Sequence, residues 1–492
     1  MKKTSTKKSL IAILVNLTLF GNTPALSAPV ADSLPDIGTT AGSTLSINQE
    51  IELGDFYIRQ IRAETPLIYD PLLTKYINML GQRLVNHANA VKTPFHFYIV
   101  NNPNINAYAI FGGNVVLHSA LFRYSRNESE LASVMAHEIA HVTQRHLARR
   151  MEDIQRKSPL AWAGALGSIL LLMANPQAGM AALSGTLAGF TQGIISFTRE
   201  NEQEADRIGV RILNQAGFDP YGMPNFMQTL GDQSRYSSKL PEMLYTHPLP
   251  DNRLADARNR ANQYPKKSIP ESQDYLLARV RILTIKPTTQ SYAQSPYTEE
   301  FLNKYSQGTP KEKIAASYGR VLLLIQNKKY AEARTILTPL LDAQPDNIWF
   351  IDAMTNIDIE QSQYAQAITR LQQAFQKHKN DPVLQINLAN VYIQAKQYPK
   401  ASQQLFQYTF NYPDDLTGWS LMAEAAGKQG KRSTELAAYA ETMALKGQFD
   451  RAINYLSQAS ALVKLNSYDQ ARYDARIDQL RQLQQRYSQY EK

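Results

Sequence analysis

The stretch Ser133-Val-Met-Ala-His137-Glu138-Ile-Ala-His141-Val-Thr-Gln144 decides how the first half of this chain folds and what it binds. Two histidines four residues apart leave a helix on the same face, one turn apart, so both imidazoles can bind one metal ion. Glu138 is rotated by about 100° from His137, which suits it to contact a water beside the metal. The spacing therefore predicts a zinc hydrolase site in which zinc lowers the pKa of bound water and Glu138 takes its proton.

The same helix carries an apolar stripe, which predicts that it is buried. The stripe consists of Leu131, Val134, Met135, Ile139 and Val142. Two histidines and a glutamate on a buried helix need partners, because unpaired polar groups there cost several kcal/mol. A metal ion would supply those partners, and the alternative is a core helix whose histidines are satisfied by other side chains.

A third metal ligand is expected from the acidic segment 199–209, which places four carboxylates within seven residues. On a helix, Glu202 and Asp206 share a face. A catalytic zinc commonly takes two histidines and one glutamate and keeps one position open for water. For any single carboxylate here, the alternative is a solvated helix face.

Two further histidines lie near these motifs in the sequence. His146 is five residues past His141, and on a continuing helix it points about 140° away from it, which predicts a surface residue or an outer support rather than a ligand. His247 and Arg253 lie in or just after the proline-stiffened segment 246–250. They are predicted either to reach the cleft, binding the substrate oxyanion or the open zinc position, or to be part of an ordinary loop.

The β-rich sequence lies just before the metal-binding helix. Residues 95–100 alternate and predict a strand, and residues 106–118 predict a hairpin with a turn at Gly112-Gly113. In zinc peptidases a strand in this place has an open edge that pairs with an extended peptide. We therefore expect substrate to bind along Gly113, Asn114, Val115 and Val116, unless this is an ordinary hairpin.

The N-terminus has the pattern of a secretory signal peptide over residues 1–28. Four lysines precede an apolar region from Leu10 to Phe20, and small residues at 25–28 offer a cleavage site. An uncleaved anchor is the alternative, although an apolar core of eleven residues is short for a membrane-spanning helix.

Composition excludes several classes of function. The chain has no cysteine, which excludes thiolate metal sites, cysteine nucleophiles and disulfides. The net charge is +9, but the lysines and arginines form no dense run, so we expect no nucleic-acid partner.

The strongly apolar stretch 160–197 is interrupted by Asn175-Pro176 and is rich in glycine in its second part. Its first run is fifteen residues long, which is short for a bilayer span. We expect a buried or interfacial helical pair beside the site, and a membrane hairpin is the competing interpretation.

The second half of the chain changes to a repeating pattern. Tyr330, Tyr364 and Tyr398 each begin a Tyr-x-x-Ala unit, and they are spaced by 34 residues. This period predicts tetratricopeptide repeats, helix pairs that stack into a solenoid with a concave face for peptides or proteins.

With these motifs in place, the first half resembles the M48 family of zinc peptidases, which includes the CAAX prenyl proteases and the HtpX proteases. The resemblance rests on His137-Glu138-x-x-His141, on Glu202-x-x-Ala205-Asp206 and on Asn106-Ala-Tyr-Ala. It implies that His137, His141 and Glu202 bind one zinc, that Glu138 is the base and that Asp206 orients a ligand histidine. It also raises His247 to an active-site residue, either a resting zinc ligand or an oxyanion binder.

Over its full length the chain resembles periplasmic members of that family from Gram-negative bacteria. This implies a mainly α (α+β) protein: signal peptide 1–28, gluzincin-type peptidase domain 29–265 with a small sheet, connecting segment 266–310, and tetratricopeptide solenoid 311–492. It also implies a periplasmic endopeptidase that degrades misfolded outer-membrane β-barrel proteins and assists their assembly. The implied partners are those proteins, including the lipopolysaccharide-export barrel, the assembly machinery and, peripherally, the outer membrane. The alternative is a repeat-based adaptor with a latent zinc site.

Overall fold

The computed structural model describes residues 45–157, 198–236, 240–266, 269–285 and 296–490 of the 492-residue chain. The expected signal peptide, residues 1–28, and the apolar stretch 160–197 lie outside these described residues. Within the described ranges, no helix combines the length and apolarity needed to cross a bilayer.

Helices surround a small sheet in the first half of the chain. The elements in order are α1 (Ile47–Glu64), α2 (Pro71–Val85), β1 (His96–Val100), β2 (Ala107–Ile110), β3 (Asn114–His118), α3 (Ala120–Tyr124), α4 (Glu128–Thr143), α5 (His146–Lys157), α6 (Arg199–Gln215), α7 (Gly222–Tyr236), α8 (Met243–Thr246) and α9 (Asp251–Ala261). Two helices follow as a connection, α10 (Gln273–Thr284) and α11 (Pro296–Ser306).

The sheet has the strand order β1-β3-β2, with β1 parallel and β2 antiparallel to β3. The predicted hairpin is confirmed, with Gly112 and Gly113 in left-handed conformations at its turn. However, β3 is the central strand and has a partner on both sides. The prediction that Gly113–Val116 offers an open edge to substrate is therefore wrong, because Asn114 to Val116 already pair with β1 and β2.

Helix α4 lies at the centre of the first half, packed against α6. A glycine sets their separation, since a Cβ at Gly209 would lie 3.3 Å from the backbone nitrogen of His137. Fourteen of the sixteen residues of α4 are buried, including His137, Glu138 and His141. Close contact between the two helices brings the carboxylates of α6 to the histidines of α4.

The second half consists of antiparallel helix pairs. The pairs are α12 and α13 (Pro310–Gln326, Tyr330–Ala343), α14 and α15 (Ile348–Glu360, Tyr364–Lys377), α16 and α17 (Pro382–Gln394, Tyr398–Asn411), α18 and α19 (Leu416–Lys428, Arg432–Leu445), and α20 and α21 (Phe449–Ala461, Tyr468–Tyr487). The 34-residue period is confirmed, because the second helix of the first three pairs begins at Tyr330, Tyr364 and Tyr398. The fourth second helix keeps the period but begins at Arg432, so Phe449 opens a new pair.

The last helices of the solenoid contact α1, the first helix among the described residues. The rings of Phe56 on α1 and Tyr487 on α21 meet edge to face, with centroids 5.3 Å apart. Arg59 Nη1 donates to the carbonyl of Ala444 at 2.6 Å. The predicted fold class, a mainly helical protein with one small sheet and a C-terminal helical solenoid, is confirmed.

Candidate metal centre

Helix N-caps fix the two helices that carry the predicted ligands. Helix α4 begins after Asn127, whose side chain accepts from the backbone N–H of Glu130 at 2.8 Å. Helix α6 begins after Thr198, whose hydroxyl accepts from the N–H of Asn201. Because α6 starts there, Glu202 and Asp206 lie one turn apart on the face that meets α4.

The structure brings four of the predicted site residues together, namely His137, His141, Glu202 and His247. All four are at most 3% exposed. The Nε2 atom of His137 lies 3.0 Å from His141 Nε2 and 3.3 Å from His247 Nδ1. Glu202 Oε1 lies 3.0 Å from His247 Nδ1 and 3.3 Å from His141 Nε2.

These distances fit a tetrahedral metal ion. Ligand atoms about 2.05 Å from a four-coordinate ion lie roughly 3.3 Å from one another. Four of the six separations among the ligand atoms are 3.0 to 3.3 Å, and all of these atoms lie within 4.8 Å of one another. The donor set, imidazole nitrogens and one carboxylate oxygen, is also the chemistry that divalent transition metals prefer. The residues present therefore fit a bound metal, with His247 in the fourth position.

Glu138 is fully buried beside this cluster. Among the described residues, neither of its carboxylate oxygens has a hydrogen-bond partner, and the nearest basic group is His247, whose Nε2 lies 3.6 Å from Oε1. A buried carboxylate without a partner is costly, so such a group usually serves a ligand or a reaction. Its position matches the role predicted for it, a base beside the metal.

Asp206 and Arg253 support the His137 side of the cluster. Asp206 Oδ1 lies 2.9 Å from His137 Nδ1, which directs the opposite ring nitrogen toward the other ligands. Arg253 binds Asp206 through Nε and Nη2 at 2.8 and 2.9 Å, and its Nη1 lies 2.6 Å from Glu202 Oε2. Arg253 was expected to bind an oxyanion, but the structure directs its guanidinium to the two carboxylates of α6.

His146 is not a surface residue, because the helix does not continue past Thr143. Arg145 has a left-handed backbone, φ 53°, and α5 starts afresh at His146. The side chain of Arg145 is held by Glu50, with Nε to Oε1 at 2.8 Å. This turn places the fully buried His146 ring back against His141, with their Nδ1 atoms 2.9 Å apart.

The tautomers of His141 and His146 are consistent with a chain of hydrogen bonds that ends at Glu204. A His141 that binds metal through Nε2 carries its proton on Nδ1, from where it can donate to His146 Nδ1 at 2.9 Å. His146 then carries its own proton on Nε2 and donates it to Glu204 Oε2 at 3.0 Å. Arg149 Nη1 lies 3.2 Å from the same oxygen. Of the two alternatives predicted for His146, the structure favours the outer support over the surface residue. Sequence reasoning missed Glu204 as its partner, and nothing in Gln144-Arg145 signals the left-handed turn.

In the absence of a metal ion, the charge states of Glu202 and His141 suit metal binding, whereas that of His137 opposes it. Burial alone would raise the pKa of Glu202, but His247 and Arg253 outweigh it and hold that pKa well below its usual range. Burial holds the pKa of His141 well below its usual range, so this ligand is neutral. Burial would also lower the pKa of His137, but hydrogen bonds to Asp206 and Glu202 raise it to about 10. A proton and a metal ion compete for that histidine.

Strand β2 is an outer strand of the sheet, whereas β3 is central, and all four residues of β2 are buried. The N–H of His118 donates to Asn106 at 3.0 Å, which makes this a hydrogen-bonded pair and turns the N–H and C=O of Ala107 and Ala109 outward. Among the described residues, none hydrogen-bonds to those outward groups. Just before them, Ile105 accepts from Met243, four residues ahead of His247.

Comparison with known families agrees with these features. Residues 71–261 match the model of peptidase family M48, and residues 358–425 match a tetratricopeptide repeat model. The first match contains α4 and α6, which carry the metal ligands of the cluster, and also the segment with His247.

Relatives match along almost the entire chain. A beta-barrel assembly-enhancing protease of Yersinia pestis is 63% identical over 464 residues, covering 94% of this chain and 95% of the relative. A protein of the same name from Escherichia coli strain K12 is 57% identical and covers 99% of each chain. A putative one from Vibrio cholerae is 46% identical, with 93% and 94% covered. This chain is therefore a metalloendopeptidase and belongs to the family of beta-barrel assembly-enhancing proteases, which join an M48 peptidase domain to tetratricopeptide repeats.

Proposed function

We propose that this chain is a periplasmic endopeptidase with one zinc ion, that it degrades misfolded or stalled outer-membrane β-barrel proteins, and that its repeats assist their assembly. The observation that carries the catalytic part is the buried carboxylate of Glu138, which accepts no hydrogen bond from any described residue and lies beside four converging ligand groups. The names of the relatives support an involvement in β-barrel assembly. The signal-peptide pattern of residues 1–28 supports the periplasm.

The residues around the cluster have distinct roles in the proposed reaction. Bound zinc supplies a lowered pKa for water and a Lewis acid for the scissile carbonyl. Glu138 accepts the proton of the attacking water and passes it to the leaving nitrogen. The outward backbone groups of Ala107 and Ala109 bind the substrate as an added strand. Only extended chain can pair in this way, which selects unfolded barrel proteins over folded ones.

His247 bears on whether the site is active at rest. Its Nδ1 lies among the ligand atoms, 3.0 Å from Glu202 Oε1, while its Nε2 faces Glu138. As a resting ligand, His247 occupies the position that water needs, and the enzyme is latent until the segment carrying it moves. As an oxyanion binder, it acts only after that movement. His247→Ala increases proteolysis in the first case and decreases it in the second.

The decisive experiment compares the mature wild type with Glu138→Gln. Both are incubated with an unfolded outer-membrane β-barrel protein, with the same protein folded, and with metal content measured for each enzyme. We expect the wild type to cut the unfolded form only and Glu138→Gln to cut neither while retaining zinc. Equal cleavage of folded and unfolded substrate would contradict selection by strand pairing. Cleavage by Glu138→Gln would remove Glu138 from the reaction.

An adaptor function is the second candidate, and two exposed aromatic side chains on α17 favour it. Phe406 and Phe410 are 59% and 81% exposed, which is unusual for phenylalanine unless it meets a partner. If the adaptor role dominates, cells carrying Glu138→Gln assemble the lipopolysaccharide-export barrel normally, while cells carrying Phe410→Ala do not. Crosslinking of the repeats to the assembly machinery and fractionation of the periplasm test the proposed partners and location.

A further inference from the structure

The solenoid has two edges, because its helices pair antiparallel. Turns inside each pair lie at one edge, called here the within-pair edge, and turns between pairs lie at the other, the between-pair edge. The within-pair turns are residues 327–329, 361–363, 395–397, 429–431 and 462–467. The between-pair turns are residues 344–347, 378–381, 412–415 and 446–448.

The between-pair edge is docked on the rest of the protein. Gln344 bonds to Gln273 at 2.7 Å, and Asp381 forms an ion pair with Lys75. Turn 412–415 lines a cavity of about 600 Å³ together with α2 and β1 of the peptidase domain. A Cβ at Gly447 would lie 3.5 Å from Arg59 on α1. Every between-pair turn thus faces the peptidase domain or its connection.

The within-pair edge points away from that domain. Among the described residues, no hydrogen bond or ion pair joins these five turns to residues 45–285. The contacts of these turns remain inside the repeats, as for Lys329 with Glu332 at 3.2 Å and Gln361 with Arg334 at 3.1 Å. Within the part of the chain that the structure describes, these turns are therefore bonded to nothing outside the repeats.

Charge differs between the two edges. The charged residues of the within-pair turns are all lysines and all exposed: Lys328, Lys329, Lys396, Lys431 and Lys464. The between-pair turns hold four aspartates and two lysines. The turns of the within-pair edge themselves carry only positive charge, although Lys329 pairs with Glu332 and the exposed Glu360 lies directly before turn 361–363.

The fifth within-pair turn adds a protruding apolar tip. Leu462, Leu465 and Tyr468 are 57%, 72% and 82% exposed, and Lys464 lies among them. Neighbouring turn 429–431 contributes Lys431, and Arg432 follows it. Asp469, directly after Tyr468, is the one acid within this tip. Three large apolar side chains are exposed within residues 462–468, and such a concentration indicates a partner that buries them.

We propose that the within-pair edge, led by the tip at 462–468, docks on an anionic lipid bilayer. Leucine and tyrosine side chains partition into the interface between headgroups and acyl chains, where tyrosine is specifically favoured. Lysines around them gain from the negative surface potential of anionic lipid. An acidic protein would satisfy the lysines, but it would leave Leu465 and Tyr468 in water. The proposal goes beyond the proteolytic function and does not depend on it.

The peptidase domain packs on the between-pair edge. Docking through the within-pair edge therefore places the peptidase domain on the side of the solenoid that faces away from the membrane. The tip does not involve the metal ligands, so loss of lipid binding and loss of proteolysis are separable. The apolar stretch 160–197 is a rival source of any lipid binding, which the variants below distinguish.

The test is co-sedimentation of the full mature chain with vesicles of phosphatidylcholine alone and with vesicles in which phosphatidylglycerol replaces about a quarter of the lipid. The apolar variant is Leu465→Ser with Tyr468→Ser, and the charge variant is Lys431→Glu with Lys464→Glu. Phe410→Ser is the matched control, since Phe410 is 81% exposed but close to the between-pair edge. All altered side chains are exposed, so circular dichroism is expected to be unchanged.

We expect the wild type and Phe410→Ser to bind phosphatidylglycerol vesicles equally. The apolar variant is expected to bind about tenfold more weakly and the charge variant at least about fivefold more weakly for each lysine changed. Absence of wild-type binding would overturn the proposal, as would binding that survives both variants, which would assign it to another segment. A lipid-free wild type that self-associates through the tip, and a variant that does not, would identify the tip as a contact between copies and also overturn it.

Discussion

The ligands His137 and His141 are each supported by a carboxylate and an arginine, but the supporting groups are more deeply buried on the His137 side. On the His137 side, Asp206 contacts the ligand directly, and both Asp206 and Arg253 are nearly inaccessible, at 2% and 5% of their side chains. On the His141 side, His146 lies between the ligand and its carboxylate, and Glu204 and Arg149 are 29% and 37% exposed.

The difference in burial indicates on which side the supporting charges stabilise the metal ligands more strongly. Charges in the dry interior interact far more strongly than charges that water screens. We therefore expect the His137 side to contribute most of the metal affinity and the His141 side to contribute mainly geometry. Four substitutions test this ranking, with the largest expected effect first.

Asp206→Asn keeps the shape of the side chain but removes its charge from His137 and Arg253. We expect metal affinity to fall about 10- to 100-fold, as found for outer supports of metal ligands. Breaking a buried ion pair should also destabilise the fold by about 3 kcal/mol or more. Chelator competition and thermal unfolding measure the two effects. An affinity within about twofold of the wild type would show that the two sides do not differ as argued.

Arg253→Lys replaces the planar guanidinium, which binds Asp206 and Glu202 at the same time, with a single ammonium group. Metal affinity is expected to fall about tenfold, because a lysine cannot hold both carboxylates in register. Activity per bound metal, measured at saturating metal, should stay within about twofold of the wild type. A fall of about 100-fold in that ratio would instead restore the oxyanion role predicted from the sequence.

His146→Leu removes the acceptor for His141 Nδ1–H while keeping the buried volume. We expect about a tenfold loss of metal affinity. His146→Gln is the matched control, since its amide oxygen can accept from His141 while its amide nitrogen donates to Glu204. Chelator competition on both variants decides the point, and equal losses would mean that His146 acts by packing alone.

Glu204→Gln is expected to have the smallest effect, about threefold or less on metal affinity, because solvent already screens this carboxylate. The effect should vanish at high salt, whereas that of Asp206→Asn should persist. Titration of metal binding at low and high ionic strength makes the comparison. A salt-independent loss larger than that of Asp206→Asn would reverse the ranking.

Local patterns predicted the elements of the cluster well. The four-residue spacing of His137 and His141 and that of Glu202 and Asp206 depend only on helix geometry, so both pairs share a face in the structure as predicted. The 34-residue period likewise predicted the second helices at Tyr330, Tyr364 and Tyr398.

What the sequence could not predict depends on distant partners. The left-handed turn at Arg145 rests on Glu50, 95 residues away, and it alone returns His146 to the cluster. The guanidinium of Arg253 is held by Asp206, 47 residues away. Strand β3 lies between β1 and β2, and the sequence of the hairpin alone does not predict that β1 pairs with β3 rather than with β2. Arg432 shows that a repeat can keep its period without its signature tyrosine.

The contact between α1 and the end of the solenoid has a consequence for the time course of biosynthesis. One apolar cluster unites Leu53 and Phe56 of α1, Phe111 at the turn before β3, and Leu456 and Tyr487 of the last helix pair. A chain emerges from its N-terminus onward, so Tyr487, whose hydroxyl donates to Asp55 of α1, arrives 432 residues after its partner. The sheet beside the metal centre is therefore fully covered only once the entire chain has been delivered. The peptidase half therefore gains this part of its apolar core last, after the repeats have been synthesised.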